Sequence, residues 1–304
     1  MTTAPRPHPA PTLVAVAHGS RDPRAVGTIR ALLERVRALR PGLPVRLGHI
    51  ELSRPLLADT LAELRGEAVL VPLLFGRGYH VTHDLPAALA DAPHLGGRIA
   101  APLGPHPLLV EALHGRLVEA GFAHETGGGP GDPADLHALR APDARDALDA
   151  VEGIGCEVVA AGPRAGNPRP RNRSGIGRTA VVLASAGSRA PRSAEDTARI
   201  AQLLSARLGG VPVLPAYASA ATPTVADAVR VLTARGHDRI AVAACFTAPG
   251  RFATQCAADA PNLAAAPLGD HPALARLVLH RYDQALFART ASDPEGARAA
   301  TVAV

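Results

Sequence analysis

The residues best suited to chemistry in this chain are histidines placed where apolar runs end. His18 follows the run Leu13 to Ala17 in "LVAVAHGSRDPRA". A later run ends in "FGRGYHVTHDLP", residues 75 to 86, and supplies His80, His83 and Asp84. Two imidazoles and a carboxylate suit a divalent transition metal, and a set too small to close the coordination sphere leaves positions for chemistry. Spacing leaves His80 and His83 equivalent, because residues three apart share a helical face. Each also has a purely structural use. A histidine after a strand can serve one local hydrogen bond, and "HVTH" can polarise a helix start with Thr82 or Asp84 as its cap. Their expected convergence at one sheet edge favours the metal.

The residues after His18 suit an anion. A turn running from strand into helix offers backbone N–H groups and the positive end of a helix dipole. Ser20 adds a hydroxyl, and Arg21 a guanidinium that can grip a carboxylate through two N–H groups. Arg54 and Arg77 are weaker candidates of the same kind, and Glu51 is placed to join the site.

What must position these groups is an alternation of strand and helix. "LVAVA" (13–17) reads as a buried strand, and residues 24–40 carry apolar positions at helical spacing that stop at "PG". "PVRLGHIEL" (44–52) is a second strand, 55–65 a helix and "AVLVPLLF" (68–75) a third strand. A helix starting near "HDLPAAL", a short strand "GRIAAPLG" (97–104) and a helix over 107–120 complete the set. Crossovers of this kind dictate a parallel sheet with helices on both faces. Ligands bind beyond the carboxyl ends of such strands, where His18, Glu51 and His80 are expected.

The order then repeats. "AGSRAP" parallels "HGSRDP", "TPTVADAV" (222–229) parallels "RPLLADTL" (54–61), and "APLGDHPAL" (266–274) parallels "APLGPHPLL" (101–109). Three matches in one order mark an internal duplication. The copies differ where chemistry was expected. Ala186 replaces His18, and aligning Gly250 with Gly78 sets Phe252 opposite His80, Gln255 opposite His83 and Cys256 opposite Asp84. Tyr217 is read as the counterpart of Glu51. Histidines needed only for folding would be needed in both copies, so the first half is expected to carry the site. Ser188 and Arg189 keep the Ser-Arg of the first copy, which fits a shared turn or two anion contacts across a pseudo-symmetric cleft. His106 and His271 occur in both copies before a helix and read as caps. The expected organisation is a tail (1–12), an active half (13–121), a Pro/Gly/Arg-rich linker (122–178), a degenerate half (179–290) and a second tail (291–304).

Composition narrows the function. All 32 basic residues are Arg, against 27 acidic ones, for a net charge of +5. Without Lys there is neither a Walker A phosphate loop nor a Schiff-base nucleophile. The basic balance suits nucleic acid, anionic lipid or an acidic small molecule. The one dense cluster, "RPRNRSGIGR" (169–178), reads as a linker in preference to a nucleic-acid arm, an RNA or DNA binder built on it being the weaker reading, and an acidic small molecule stays open as a partner. "GIGRTA" (175–180) precedes a strand, so it is no dinucleotide loop. Cys156, Cys245 and Cys256 lack metal-ribbon spacing. No apolar run nears the ~20 residues of a membrane span, and the N-terminal stretch has no signal-like core; a cytoplasmic protein is expected.

Taken in order, "HGSRDP", "ELSRPLL", "GYHVTHDLP" and "LGPHPLL" resemble the CbiX/SirB family of sirohydrochlorin chelatases, ATP-independent class II tetrapyrrole chelatases. The resemblance covers 13–120 directly and 179–290 as a degenerate copy. It implies two tandem flavodoxin-like, chelatase-like α/β domains related by a pseudo-two-fold axis. It assigns the catalytic, metal-binding histidines to His18 and His80, with Gly78 and Asp84 the Gly and Asp of the second motif, and leaves His83 at a variable position. It implies insertion of Fe2+ or Co2+ into sirohydrochlorin, towards siroheme or a corrinoid, with no permanently bound cofactor and no ATP. The eight carboxylates of sirohydrochlorin match an Arg-rich chain. Ser20, Arg21, Glu51, Arg54 and Phe252 are the supporting candidates, Phe252 covering the ring from the inactive half; Phe75, Tyr79 and Phe246 are the other aromatic wall residues. The partner is the tetrapyrrole, with neither nucleic acid nor membrane. The fused halves imply a monomer, a homodimer being the alternative. A non-catalytic nickel or cobalt carrier and a chelatase for another tetrapyrrole are the rival readings.

Overall fold

The computed structural model describes residues 10–123 and 178–290. The expected linker and both tails fall almost wholly outside these residues. In the first half, β1 (Thr12–Ala17), α1 (Pro23–Leu39), β2 (Val45–His49), α2 (Leu57–Glu63), β3 (Gly66–Pro72), α3 (Leu85–Ala90), β4 (Leu95–Ile99) and α4 (Pro107–Glu119) follow one another. In the second, β5 (Thr179–Ser185), α5 (Pro191–Arg207), β6 (Val213–Tyr217), α6 (Val225–Ala234), β7 (Arg239–Ala244), α7 (Arg251–Ala258), β8 (Leu263–Ala264) and α8 (Pro272–Thr290) repeat the order. Each half forms a four-stranded parallel sheet, β2-β1-β3-β4 and β6-β5-β7-β8. This is the expected doubly covered α/β architecture. Leu13 to Ala17 are all buried, as a central strand covered on both faces requires.

The register supports the duplication residue by residue. Val14 pairs with Leu70 and Val182 with Val242, so the Gly78–Gly250 alignment holds along β3 and β7. Two elements differ from expectation. The second-half copy of "GRIAAPLG", "NLAAAPLG" (262–269), forms a strand only over Leu263–Ala264. It is an edge strand, and it is short at its start, where Pro261 has no N–H for the ladder and the Asn262 side chain takes the Ile240 N–H at 2.9 Å. Ahead of α3, residues His80–Asp84 form a π-helical turn in which the Leu85 N–H donates to the His80 carbonyl. Pro86 follows and has no N–H for the next bond, so the wide turn sits where the helical ladder is already interrupted.

The halves share one core. Leu13, Leu33, Leu109 and Leu113 of the first pack in one cluster with Leu204, Leu277, Val278 and Tyr282 of the second. The rim is tied by ion pairs. Arg40 grips Asp283 through two nitrogens at 2.6 and 2.7 Å, and Arg35 holds Asp270 at 2.9 Å. The pseudo-symmetry is visible in reciprocal contacts. A Cβ on Gly250 would lie 3.0 Å from Ser20 Oγ, and one on Gly78 would lie 3.4 Å from Ser188 Oγ.

His106 and His271 act as helix caps. The Leu108 N–H donates to His106 Nδ1 at 3.1 Å, and the Ala273 N–H to His271 Nδ1 at 3.2 Å. Both rings must therefore stay neutral. The pKa of His106 is pushed down from 6.5 to about 4, chiefly by burial and then by Arg281 and His280. The unfolded chain takes up this proton across that window and the folded chain does not. Stability therefore rises with pH through the window and is lost as pH falls through it. Burial pushes His271 and His49 the same way. Thermal denaturation should show Tm falling as pH drops from 6.5 towards 4. His106→Asn, which keeps a capping oxygen, should flatten that slope; an unchanged slope would refute the assignment.

Candidate functional site

His18 leaves the end of β1 into a turn that only glycine can follow. Gly19 has φ +101°, and a Cβ there would lie 1.7 Å from the Glu51 carbonyl oxygen. The Glu51 N–H in turn donates to the His18 carbonyl at 3.0 Å. This close approach fixes His18 and Glu51 together at the sheet edge, with His18 Nε2 3.6 Å from Glu51 Oε1. The adjacent strand β3 and the π-helical turn bring up His80. The two imidazole rings meet edge to face, with centroids 4.7 Å apart and planes at 84°. Asp84, one helical turn beyond His80, contacts His80 Nδ1 at 2.5 Å. That contact leaves His80 Nε2 as its outward nitrogen. His83 turns away, stacks on Tyr79 at 4.4 Å and takes the Thr82 hydroxyl at 2.8 Å. Of the two histidines that spacing left equivalent, only His80 meets His18.

Both imidazoles line a cleft of about 970 Å3 between the halves. The carboxyl ends of both sheets open into it. Leu52, Phe75 and Tyr79 from the first half and Phe246 and Phe252 from the second supply its apolar walls. Ala186 and Ser188 stand across from His18 and Ser20. Among the described residues, no group of three or more His, Cys, Asp or Glu could enclose a metal.

The other sequence candidates divide. Arg21, Ser20, Glu51, Gly78 and Phe252 line the cleft. Ser20 also serves its own turn: it accepts the Asp22 N–H at 3.1 Å, as Ser188 accepts the Ala190 N–H at 3.2 Å. Arg54 does not reach the cleft; it lies on the surface with Asp59 at 2.7 Å. Arg77 is a structural clasp. Its backbone N–H and guanidinium all bond Asp196 of the second half, at 2.7 to 3.0 Å. Arg189 is exposed and is absent from the lining, so the two anion contacts expected of Arg21 and Arg189 do not face each other.

The counterpart of Glu51 is also corrected. The Ser219 N–H donates to the Ala186 carbonyl as Glu51 does to His18, so Ser219 matches Glu51. Tyr217 instead matches His49, since each closes its strand beside the central one, opposite Ser185 and Ala17 respectively. Sequence reasoning passed over His49 and Arg251, both in the lining. The Gly78–Gly250 alignment already set Arg251 opposite Tyr79, so its signal was present. Cys256, opposite Asp84, is buried with its thiol pushed up to about 11, chiefly by burial and then by Asp259, and has no role as a thiolate.

The sequence profile of CbiX matches residues 12–120 and again 180–285, most of the chain. The chain belongs to the CbiX family. Among characterised relatives, a protein from Methanococcoides burtonii named sirohydrochlorin cobaltochelatase is 27% identical over 123 residues, 35% of this chain and 94% of that protein. That relative is about the size of one half. Among solved structures, SirB from Bacillus subtilis with Fe3+ aligns over 90% of this chain and 94% of its own, with TM-score 0.60 and 18% identity. The sirohydrochlorin chelatase SirB from Bacillus subtilis subspecies spizizenii, in complex with cobalt, aligns over 94% and 97%, with TM-score 0.59 and 18% identity. These two neighbours share the two-half CbiX fold.

Arg77 is where structure and sequence reading part most sharply, and its role can be measured. Arg77→Ala would strand the buried Asp196 carboxylate. Losing one partner of a fully buried pair costs about 3–5 kcal/mol, and the partial exposure of Arg77 brings the expected loss to about 2 kcal/mol in urea unfolding. A loss of substrate affinity at unchanged stability would return Arg77 to the binding site.

Proposed function

We propose that this protein inserts a divalent metal, Fe2+ or Co2+, into sirohydrochlorin without ATP. The observation that carries this reading is an open pair of imidazoles in a cleft of about 970 Å3. A bare ion needs a small fraction of that space, whereas pockets for organic molecules run to about 300–1,000 Å3. A flat macrocycle accounts for the volume and for aromatic walls on both sides. The family, the cobaltochelatase relative and the neighbours solved with Fe3+ and cobalt support the same reading.

The chemistry follows from the donors. Each divalent ion that enters the ring displaces two pyrrole N–H protons. His18 and His80 are read as catalytic ligands that hold the ion through neutral imidazole nitrogens. As the ion passes to the ring, those lone pairs become free to accept the departing protons. Asp84 fixes the His80 tautomer that presents Nε2 to the ion. Glu51 supports His18 more loosely, at 3.6 Å. Two protein ligands leave positions for the ring nitrogens and release the ion more readily than a closed cage. Phe252 covers the ring face from the second half.

No helix among the described residues is long and apolar enough to cross a membrane. We read the protein as a cytoplasmic monomer, since one chain supplies both sides of the cleft. It needs no nucleic-acid partner.

Purified protein with Co2+ or Fe2+ and sirohydrochlorin should convert the absorbance spectrum of the free ring to that of the metallated one. His18→Ala combined with His80→Ala should lower the rate by at least about 100-fold. Asp84→Asn should lower metal affinity or rate by about 10-fold at little cost in Tm. Normal turnover in the double variant would remove both histidines from the mechanism. Metal binding without any sirohydrochlorin binding would make the protein a metal carrier. Phe252→Ala should raise KM for the tetrapyrrole; an unchanged KM would remove its covering role.

A further inference from the structure

We propose that Arg21 and Arg251 form a clamp, one guanidinium from each half, that grips carboxylates along one edge of the macrocycle. The clamp rests on the tetrapyrrole reading above and gives the degenerate half a part in choosing the substrate.

Four observations point to it. Both side chains line the cleft and are exposed, and neither joins an ion pair among the described residues. By contrast Arg24, Arg54 and Arg77 are held by Asp22, Asp59 and Asp196. Second, the two arginines issue from one corner. Ser20 Oγ donates to the Pro249 carbonyl at 3.5 Å across the seam between the halves, and Arg21 and Arg251 are the residues that follow Ser20 and Gly250.

Third, folding alone gives no reason for either charge. Arg251 is the first residue of α7, and Arg21 precedes Asp22, the N-cap of α1. The positive end of a helix dipole disfavours a cation and favours an anion. The start of α1 already carries the Asp22 carboxylate, but α7 begins after Gly250, which has no side chain to cap it, so the unpaired guanidinium of Arg251 is unfavourable there until an anion arrives, and then that dipole and both guanidiniums act together.

Fourth, the pseudo-symmetric corner lacks this feature. There Ser188 faces Gly78, Tyr79 stands where Arg251 stands, and Arg189 is outside the lining. One corner is therefore cationic and the other aromatic. A ring with carboxylates around its whole rim meets guanidiniums on one edge only, so the clamp sets which edge lies at the Arg21–Arg251 corner.

Binding without chemistry tests this. Fluorescence titration would use uroporphyrin, which carries eight carboxylates, and mesoporphyrin, which carries two. Arg21→Gln and Arg251→Gln should each weaken uroporphyrin binding by about 5- to 10-fold. KM for sirohydrochlorin should rise by a similar factor while kcat stays within about twofold. Co2+ affinity should hardly move, mesoporphyrin, whose two carboxylates share one edge, should weaken by no more than uroporphyrin, and Arg251→Lys should recover part of the loss. Wild-type affinity for uroporphyrin in Arg251→Gln would overturn the clamp and leave the tetrapyrrole reading standing. So would an equal loss of Co2+ binding. A wild-type protein that binds neither porphyrins nor sirohydrochlorin would overturn that reading and the clamp with it.

Discussion

The site depends on the parallel pairing of β1 with β3. Val16 lies opposite Pro72 at the end of that ladder, so both chains leave the sheet at one level. The chain leaving β1 reaches His18 almost at once. The chain leaving β3 needs a longer excursion, and the π-helical turn closes it by setting His80 over the same edge. Neither histidine could meet the other in a sheet that inserted a strand between them. The Gly19 turn adds the last constraint. Any side chain at that position would strike the Glu51 carbonyl, and moving that backbone would carry His18 out of reach of His80.

The duplication shows which features the fold requires and which serve the cleft. Gly19 and Gly187 both have positive φ and press on the same carbonyl, that of Glu51 in one half and of Ser219 in the other. Ser20 and Ser188 cap the same turn, and His106 and His271 cap the same helix. These groups serve backbone N–H groups that each copy must satisfy on its own. What differs faces the cleft: His18 and Ala186, Glu51 and Ser219, Tyr79 and Arg251, His80 and Phe252. None of these side chains caps a backbone N–H or fills the core, so each can be exchanged without unfolding its half, and divergence collects there.

The same distinction explains what could be read from sequence. Strand order and helix positions followed from apolar periodicity, because buried β1 and β3 admit little else. The His18–His80 pairing was legible as a shared sheet edge. The choice of His80 over His83 was not, since three-residue spacing puts both on one helical face and the π-helical turn that separates them has no sequence period. The fate of the arginines was the least legible. Arg21, Arg54 and Arg77 all follow strand ends, yet two are taken up by carboxylates. The partner of Arg77, Asp196, lies in the other half, where no local pattern could announce it. Conversely, the counterpart of Glu51 is fixed by a backbone bond, that of the Ser219 N–H to the Ala186 carbonyl, and not by Tyr217 two residues earlier.

The loss of the second histidine pair has a physical logic of its own. A macrocycle accepts one ion at its centre. Two intact copies would set an imidazole pair on each face of the ring, and an ion held from both faces would leave neither readily. Replacing His18 by Ala186 and His80 by Phe252 removes the competing donors and sets apolar surface where they stood. The second half keeps its fold because its turns, caps and share of the common core remain. On the proposed function, its lining is the surface that would meet the ring, with Phe252 against its face and Arg251 at its acidic edge.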